Sequence, residues 1–172
     1  MSLRVQLSRI LRDVKRPLRL GRPTISWASI SMAYDVEKNK QVVQAFAEAI
    51  NARDWDRLDT LVAVDFIRHS NAAPGVHSRE DLKRYLRREF EIFPDAYESV
   101  EDVVAEGDRV AARHSFRGTQ AGRMGPYPAS GRVMGADYLA IYRLADGMLA
   151  EAWVEWDNLS GLVQLGHFKT DA

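Results

Sequence analysis

At Ala96 the hydrophobic period of this 172-residue chain changes from helical to alternating, and no other feature narrows its fold so far. Before that point Val42, Val43, Phe46, Ala49 and Ile50 form one apolar stripe. They predict a helix over 38–52 with Asp35 as its N-cap. Asp54-Trp55-Asp56 opens a second short helix, with Leu58, Leu61 and Val62 on one face. Asp65 to His69 reads as a brief extended piece that runs into a polar loop, 70–76. Ser78-Arg79-Glu80-Asp81 resembles a capping box and opens a third helix to about Phe93, which Pro94 closes. After Ala96 four strands are expected, at about 97–106, 109–119, 132–143 and 148–157. Glu106-Gly107-Asp108 and Ala145-Asp146-Gly147 supply tight hairpin turns, and the Gly- and Pro-rich stretch 122–131 is a long loop. A short helix follows over 159–165. Helices first and an antiparallel meander afterwards make an α+β domain. A curved sheet wrapped over three helices forms a cone, whose mouth is a natural ligand cavity.

The last strand carries the chemistry. In Ala150-Glu-Ala-Trp-Val-Glu-Trp-Asp157, the residues Glu151, Trp153, Glu155 and Asp157 alternate with Ala152, Val154 and Trp156. A strand's side-chain period of two sends the sets to opposite faces. With the acidic face in water, the segment is an ordinary amphipathic strand. Turned into a concave interior, the same face is a row of desolvated carboxylates suited to general acid–base work.

Charge is balanced overall, with 24 basic and 24 acidic residues, but it is unevenly spread. Residues 1–32 hold seven basic residues (Arg4, Arg9, Arg12, Lys15, Arg16, Arg19 and Arg22) against Asp13 alone, so the rest is mildly acidic. An acidic body has no nucleic-acid footprint. There are no cysteines, which excludes disulfides, thiol catalysis and Cys-ligated metals. No apolar run approaches the roughly 18 residues that span a membrane. In the leader, Leu3, Leu7, Ile10, Leu11 and Val14 recur at helical spacing between arginines. That pattern suits a basic amphipathic helix, an organellar presequence, or a disordered leader ahead of a start at Met32. The expected organisation is a basic leader, 1–32, and one folded domain, 33–172, placed in the cytoplasm.

The order of elements, ending Glu151-x-Trp153-x-Glu155-Trp156 … Gly161-Leu-Val-Gln164-Leu165-Gly166, resembles the SnoaL-like polyketide cyclase and ester cyclase branch of the NTF2-like superfamily. Matching pieces are Asn51-x-x-Asp54, Asp65-Phe66-Ile67-x-His69 and Val104-Ala-Glu-Gly-Asp-Arg-Val110. Further ones are Phe116-Arg-Gly118-Thr119 … Pro128-Ala-Ser-Gly-Arg132 and Tyr142-Arg-Leu-Ala-Asp-Gly147. The resemblance covers roughly 36–167. It implies an NTF2-like cone and, in the cyclases, a last-strand acid that serves as general acid/base in an intramolecular aldol closure. Counted back from Gly161, that acid falls on Glu155, a glutamate where the cyclases hold aspartate. Two polar partners on the preceding strand, a glutamine and a histidine, fall on Tyr138 and Ala140, so the histidine is lost. On this footing the face bearing Glu151, Trp153 and Glu155 looks into the cavity, together with Ala136, Tyr138, Ala140 and Tyr142.

The candidate catalytic residues are therefore Glu155 as proton shuttle, His69 at the rim and Tyr138 as a phenolic donor. Each also has a plain structural reading, as a satisfied carboxylate, a hydrogen-bonded histidine and wall packing. Candidate substrate contacts are Trp153, Glu151, His114, Tyr142 and Asp157. His114 shares its face with Val110, Ala112 and Phe116 and reads equally as a core histidine. Asp157 reads also as an N-cap for the helix after it. No metal-ligand spacing or phosphate loop occurs, so no metal and no cofactor are expected. The function expected is a cofactor-independent cyclase or isomerase acting on a small hydrophobic carbonyl compound. The alternative is a non-catalytic ligand-binding or scaffolding protein. Epoxide hydrolysis ranks behind both, because it wants an acid–arginine–acid cluster, and Arg113 and Arg117 lie opposite His114. Leu139 and Ile141 on the outer face suggest a homodimer.

Overall fold

Four helix starts are set by side chains that accept the amides a first turn leaves unpaired. In the computed structural model, which describes residues 35–169, Asp35 caps α1 (Val36–Ala52) by accepting from the Lys38 amide at 3.0 Å. Asp54 caps α2 (Trp55–Leu61), and Ser78 caps α3 (Arg79–Ile92). Asp157 caps α4 (Asn158–Gln164) at 2.9 Å. The basic leader 1–32 lies outside the described residues.

Five strands make one sheet: β1 (Val62–His69), β2 (Tyr97–Glu106), β3 (Arg109–Thr119), β4 (Val133–Ala145) and β5 (Met148–Trp156), in the order β1-β5-β4-β3-β2. Val62, expected to end the second helix, instead starts β1. The extended piece at 65–69 is thus the end of an eight-residue edge strand that pairs parallel to β5. The turn from β4 to β5 has φ of 51° at Asp146 and 76° at Gly147. Two successive positive values are what a two-residue hairpin turn of the primed type needs, and Asp-Gly tolerates them. The helices cover one face of the sheet: α1 lies on β2 and β3, and α3 on β1. Phe46, Leu58, Phe66, Leu82 and Leu149 are buried between the layers.

Two interruptions of the ladder decide which side chains enter the cone. Between β4 and β5 the register passes from Leu144 opposite Leu149 to Arg143 opposite Glu151, so Ala150 is an extra residue. Between β2 and β3 it passes from Asp102 opposite Arg113 to Val100 opposite His114, so Glu101 is extra. One inserted residue exchanges the two faces of everything beyond it. Beyond Ala150, Tyr142, Ala140 and Tyr138 face Ala152, Val154 and Trp156, and these residues line the helix-covered side. Beyond Glu101, Val100 and Glu98 face His114 and Phe116 on that same side.

Candidate active site

The concave face is built on a ladder of rings. His114, Tyr138 and Trp156 are direct cross-strand neighbours on β3, β4 and β5. His114 stacks on Tyr138 at 4.5 Å between centroids, and Tyr138 stacks on Trp156 at 4.1 Å. Phe116 meets Trp156 edge to face at 5.5 Å. Such pairs add to sheet stability beyond the area they bury.

Beside this ladder lies a cavity of about 330 Å³, walled by Phe93, Phe116, Met124, Met134, Trp156 and Leu162 among others. Gln120, fully buried, donates to the Gly122 and Pro128 carbonyls and so holds the loop that carries Met124. Two smaller cavities, of about 40 and 30 Å³, share Glu89 and Trp156 with the large one. Glu98 lines both of them, and Arg68 lines the first.

Two carboxyls thus meet in apolar surroundings. Glu98 sits on edge strand β2, where its free backbone side would face water. The Asn51 side chain occupies that side, donating to the Glu98 carbonyl at 2.7 Å and accepting from its amide at 3.0 Å. Oε2 of Glu98 accepts from the Tyr138 hydroxyl at 2.7 Å, while Oε1 is sealed from solvent and has no partner. Burial pushes the Glu98 carboxyl up to about 7. The Tyr138 hydrogen bond opposes that shift, and the charge of Glu89 adds to it. Glu89, on α3, is also raised by burial, against the Tyr85 hydroxyl that donates to its Oε1 and against Arg68. Its Oε2 has no hydrogen-bond partner among the described residues, and Glu89 lines all three cavities.

His114 is completely buried, and desolvation lowers its imidazole to about 4, so it is neutral near neutrality. Its Nε2 shares a 3.2 Å hydrogen bond with the Tyr142 hydroxyl, and Nδ1 has no partner. Burial raises the phenols of Tyr138 and Tyr142, keeping both as neutral donors.

The structure brings together only part of the expected site. Tyr138, Tyr142 and His114 line the concave side. Asp157 caps α4 and also borders the 330 Å³ cavity. The expected inward facing of Glu151, Trp153 and Glu155 is corrected: Ala150 bulges, and all three project from the outer face. Glu155 is exposed there, opposite Leu139, which is 63% exposed. His69 joins that outer group instead of the rim. It stacks on Trp153 at 5.0 Å, and its Nε2 lies 2.8 Å from Glu151 Oε1. Glu151 also accepts from Arg143 at 2.8 Å, and these two bonds hold its carboxyl below the usual range. Ala152, Val154 and Trp156, the β5 residues that do face inward, cannot titrate as acids. Glu89, Glu98 and Arg68 escaped the sequence reading. Arg68 follows Phe66 at period two, which already sets it on the apolar face of β1.

The family model for SnoaL-like polyketide cyclase matches residues 40–165. The chain belongs to that family. Among solved structures, TsrD from Streptomyces laurentii is 30% identical with a TM-score of 0.71, over 78% of this chain and 99% of that one. IdmH from Streptomyces antibioticus, a candidate polyketide cyclase, is 30% identical with a TM-score of 0.66, over 74% and 98%. A candidate SnoaL-like polyketide cyclase from Jannaschia sp. CCS1 is 25% identical with a TM-score of 0.69, over 78% and 95%. No curated protein matches the sequence. The SnoaL-like fold accounts for the cone and its five-stranded, unclosed sheet. Membership in the family does not by itself supply this chain's acid, because the inward positions of β5 carry none.

Proposed function

We propose that this SnoaL-like protein is an acid–base catalyst, a cyclase or isomerase of a small hydrophobic carbonyl compound, with protein side chains alone moving the protons. The observation that carries the proposal is that Glu89 and Glu98 line the same two small cavities, with Glu89 also lining the 330 Å³ one, and that burial raises both carboxyls. The carboxylate form of Glu89, which the Tyr85 hydrogen bond and the charge of Arg68 favour against burial, faces the 330 Å³ cavity and takes a proton from carbon α to a carbonyl. In a cyclisation the resulting enolate carbon forms a bond to a second carbonyl carbon, and the new alkoxide takes a proton from Glu98. In an isomerisation the proton on Glu89 returns to a different carbon. Tyr138 holds Glu98 and is a positioning residue. The names of the SnoaL-like relatives support cyclisation.

The bicyclic ketone 2-tetralone in deuterated water is a suitable probe, with α-proton exchange followed by NMR. Wild-type protein is expected to accelerate exchange. Glu89→Gln is expected to cost at least about 10²-fold, the usual contribution of a general base, and Glu155→Gln less than about tenfold. No acceleration by wild type, or full activity in Glu89→Gln, contradicts the proposal and leaves the non-catalytic binding reading in its place.

A second reading draws on Arg68, which shares a cavity with Glu89 and Glu98. An acid–arginine–acid set of that kind can activate water for epoxide opening, and diol formation from a probe epoxide is its test. The outer face, where Leu139 and Ile141 lie exposed beside Trp153, suggests a homodimer.

A further inference from the structure

Arg68 carries a charge that the described residues do not neutralise. It lies on β1, on the concave face, and is only 8% exposed. Its Nε is sealed without a partner, and it belongs to no ion pair among the described residues. The centroid of the Tyr85 ring lies 4.6 Å from its guanidinium carbon. Glu89 and Tyr85 on α3, Glu98 on β2, and Tyr138 and Tyr142 on β4 are the ionisable groups that feel its charge. Burial opposes the charged form of each of them, and neither carboxyl forms an ion pair with Arg68. A buried guanidinium left unpaired is costly, because it loses its hydration without a compensating partner. A ligand that brings its own negative charge removes that cost.

We propose that Arg68 is an anion-binding residue, and that the ligand of this cavity is a flat hydrophobic carboxylic acid whose carboxylate Arg68 holds. The 40 Å³ cavity that Arg68 lines has room for a carboxylate, since a single water needs about 10–15 Å³. Glu89 and Trp156 border both this space and the 330 Å³ cavity, so the ring system has somewhere to go. The inference rests on the acid–base reading only in placing the ligand in the same cavity.

Calorimetric titration of the full chain with 2-naphthoic acid and its neutral isostere 2-naphthamide, near pH 6, tests it. Wild type is expected to bind the acid at least about tenfold more tightly than the amide, in line with a charge-assisted hydrogen bond. Arg68→Met removes the charge at similar volume and is expected to abolish that preference while keeping the amide's affinity. Arg68→Lys guards against a folding defect and is expected to retain part of the preference. Equal binding of the two probes by wild type, no binding of either, or an unchanged preference in Arg68→Met overturns the proposal. Turnover is not needed for any of these readings. A Glu89→Gln protein that loses proton exchange yet still prefers the acid would separate the two claims.

Discussion

Three residues decide what this cone can do, and each acts through where its charge is held. Glu98 and His114 face one another's strands on the concave side, and burial drives their titrations in opposite directions, to about 7 and about 4. Glu98 takes up a proton on folding, so its favourable contribution is complete below 4.5 and is lost as pH rises through 7. His114 stays neutral on folding, so its contribution is complete above 6.5 and is lost as pH falls through 4. From 4.5 to 6.5 these two slopes offset each other, while Glu89, also raised by burial, adds a fall in stability as pH rises. Glu98→Gln removes one slope. The stability of that variant from urea titration, taken relative to wild type, is expected to rise between pH 4.5 and pH 8, by up to roughly 3 kcal/mol. A variant that tracked wild type at every pH would contradict the burial of this carboxyl. Arg68 is the third residue, and its charge is what both carboxyls answer to.

At the scale of elements, the account depends on two inserted residues. A regular continuation of the Asp146-Gly147 hairpin pairs Tyr138 with Glu155 and turns Glu151, Trp153 and Glu155 into the cone. The extra residue Ala150 reverses that, so Tyr138 meets Trp156. The extra residue Glu101 does the opposite on β2, turning Glu98 inward. Deleting Ala150 is expected to force Glu151 and Glu155 towards the core and to abolish cooperative thermal unfolding, whereas Ala150→Gly is expected to keep it. A deletion protein that melts like wild type would show that the bulge does not set the facing. Helices, caps, turns and four strands were legible because each has a local cause: an Asp or Ser before a stripe, an Asp-Gly between alternating runs. The bulges left a trace as well. Leu149 and Ala152, and Val100 and Val103, are apolar pairs three residues apart, which a regular strand cannot turn to one face. Glu89 was hidden differently, because a glutamate on an amphipathic helix looks solvated until the sheet is placed against it.

For the molecule as a whole, the same sheet presents two unlike faces. The concave one is lined by rings, two carboxyls and a buried arginine. The outer one has Leu139, Ile141 and Trp153 along its middle. Arg113 with Asp102 and Asp137 lies to one side of them, and Arg143 with Glu151 and His69 to the other. Both signs on both flanks let a second copy meet this face without net repulsion. Sedimentation equilibrium at tens of micromolar is expected to show a dimer that Leu139→Glu converts to monomer, and a wild-type monomer would count against it. Catalysis within one cone does not require the second copy, so Leu139→Glu is expected to leave 2-tetralone exchange unchanged. The central claim is that the working carboxyl of β2 lies inside the cone while that of β5 lies outside. Carbon-13 carboxyl NMR, with the Glu98 resonance assigned through Glu98→Gln, tests it most directly. Glu98 is expected to titrate near 7 and to shift when 2-naphthoic acid is added. A Glu98 carboxyl that titrates near 4.5 and ignores the ligand would place it in water and contradict the account.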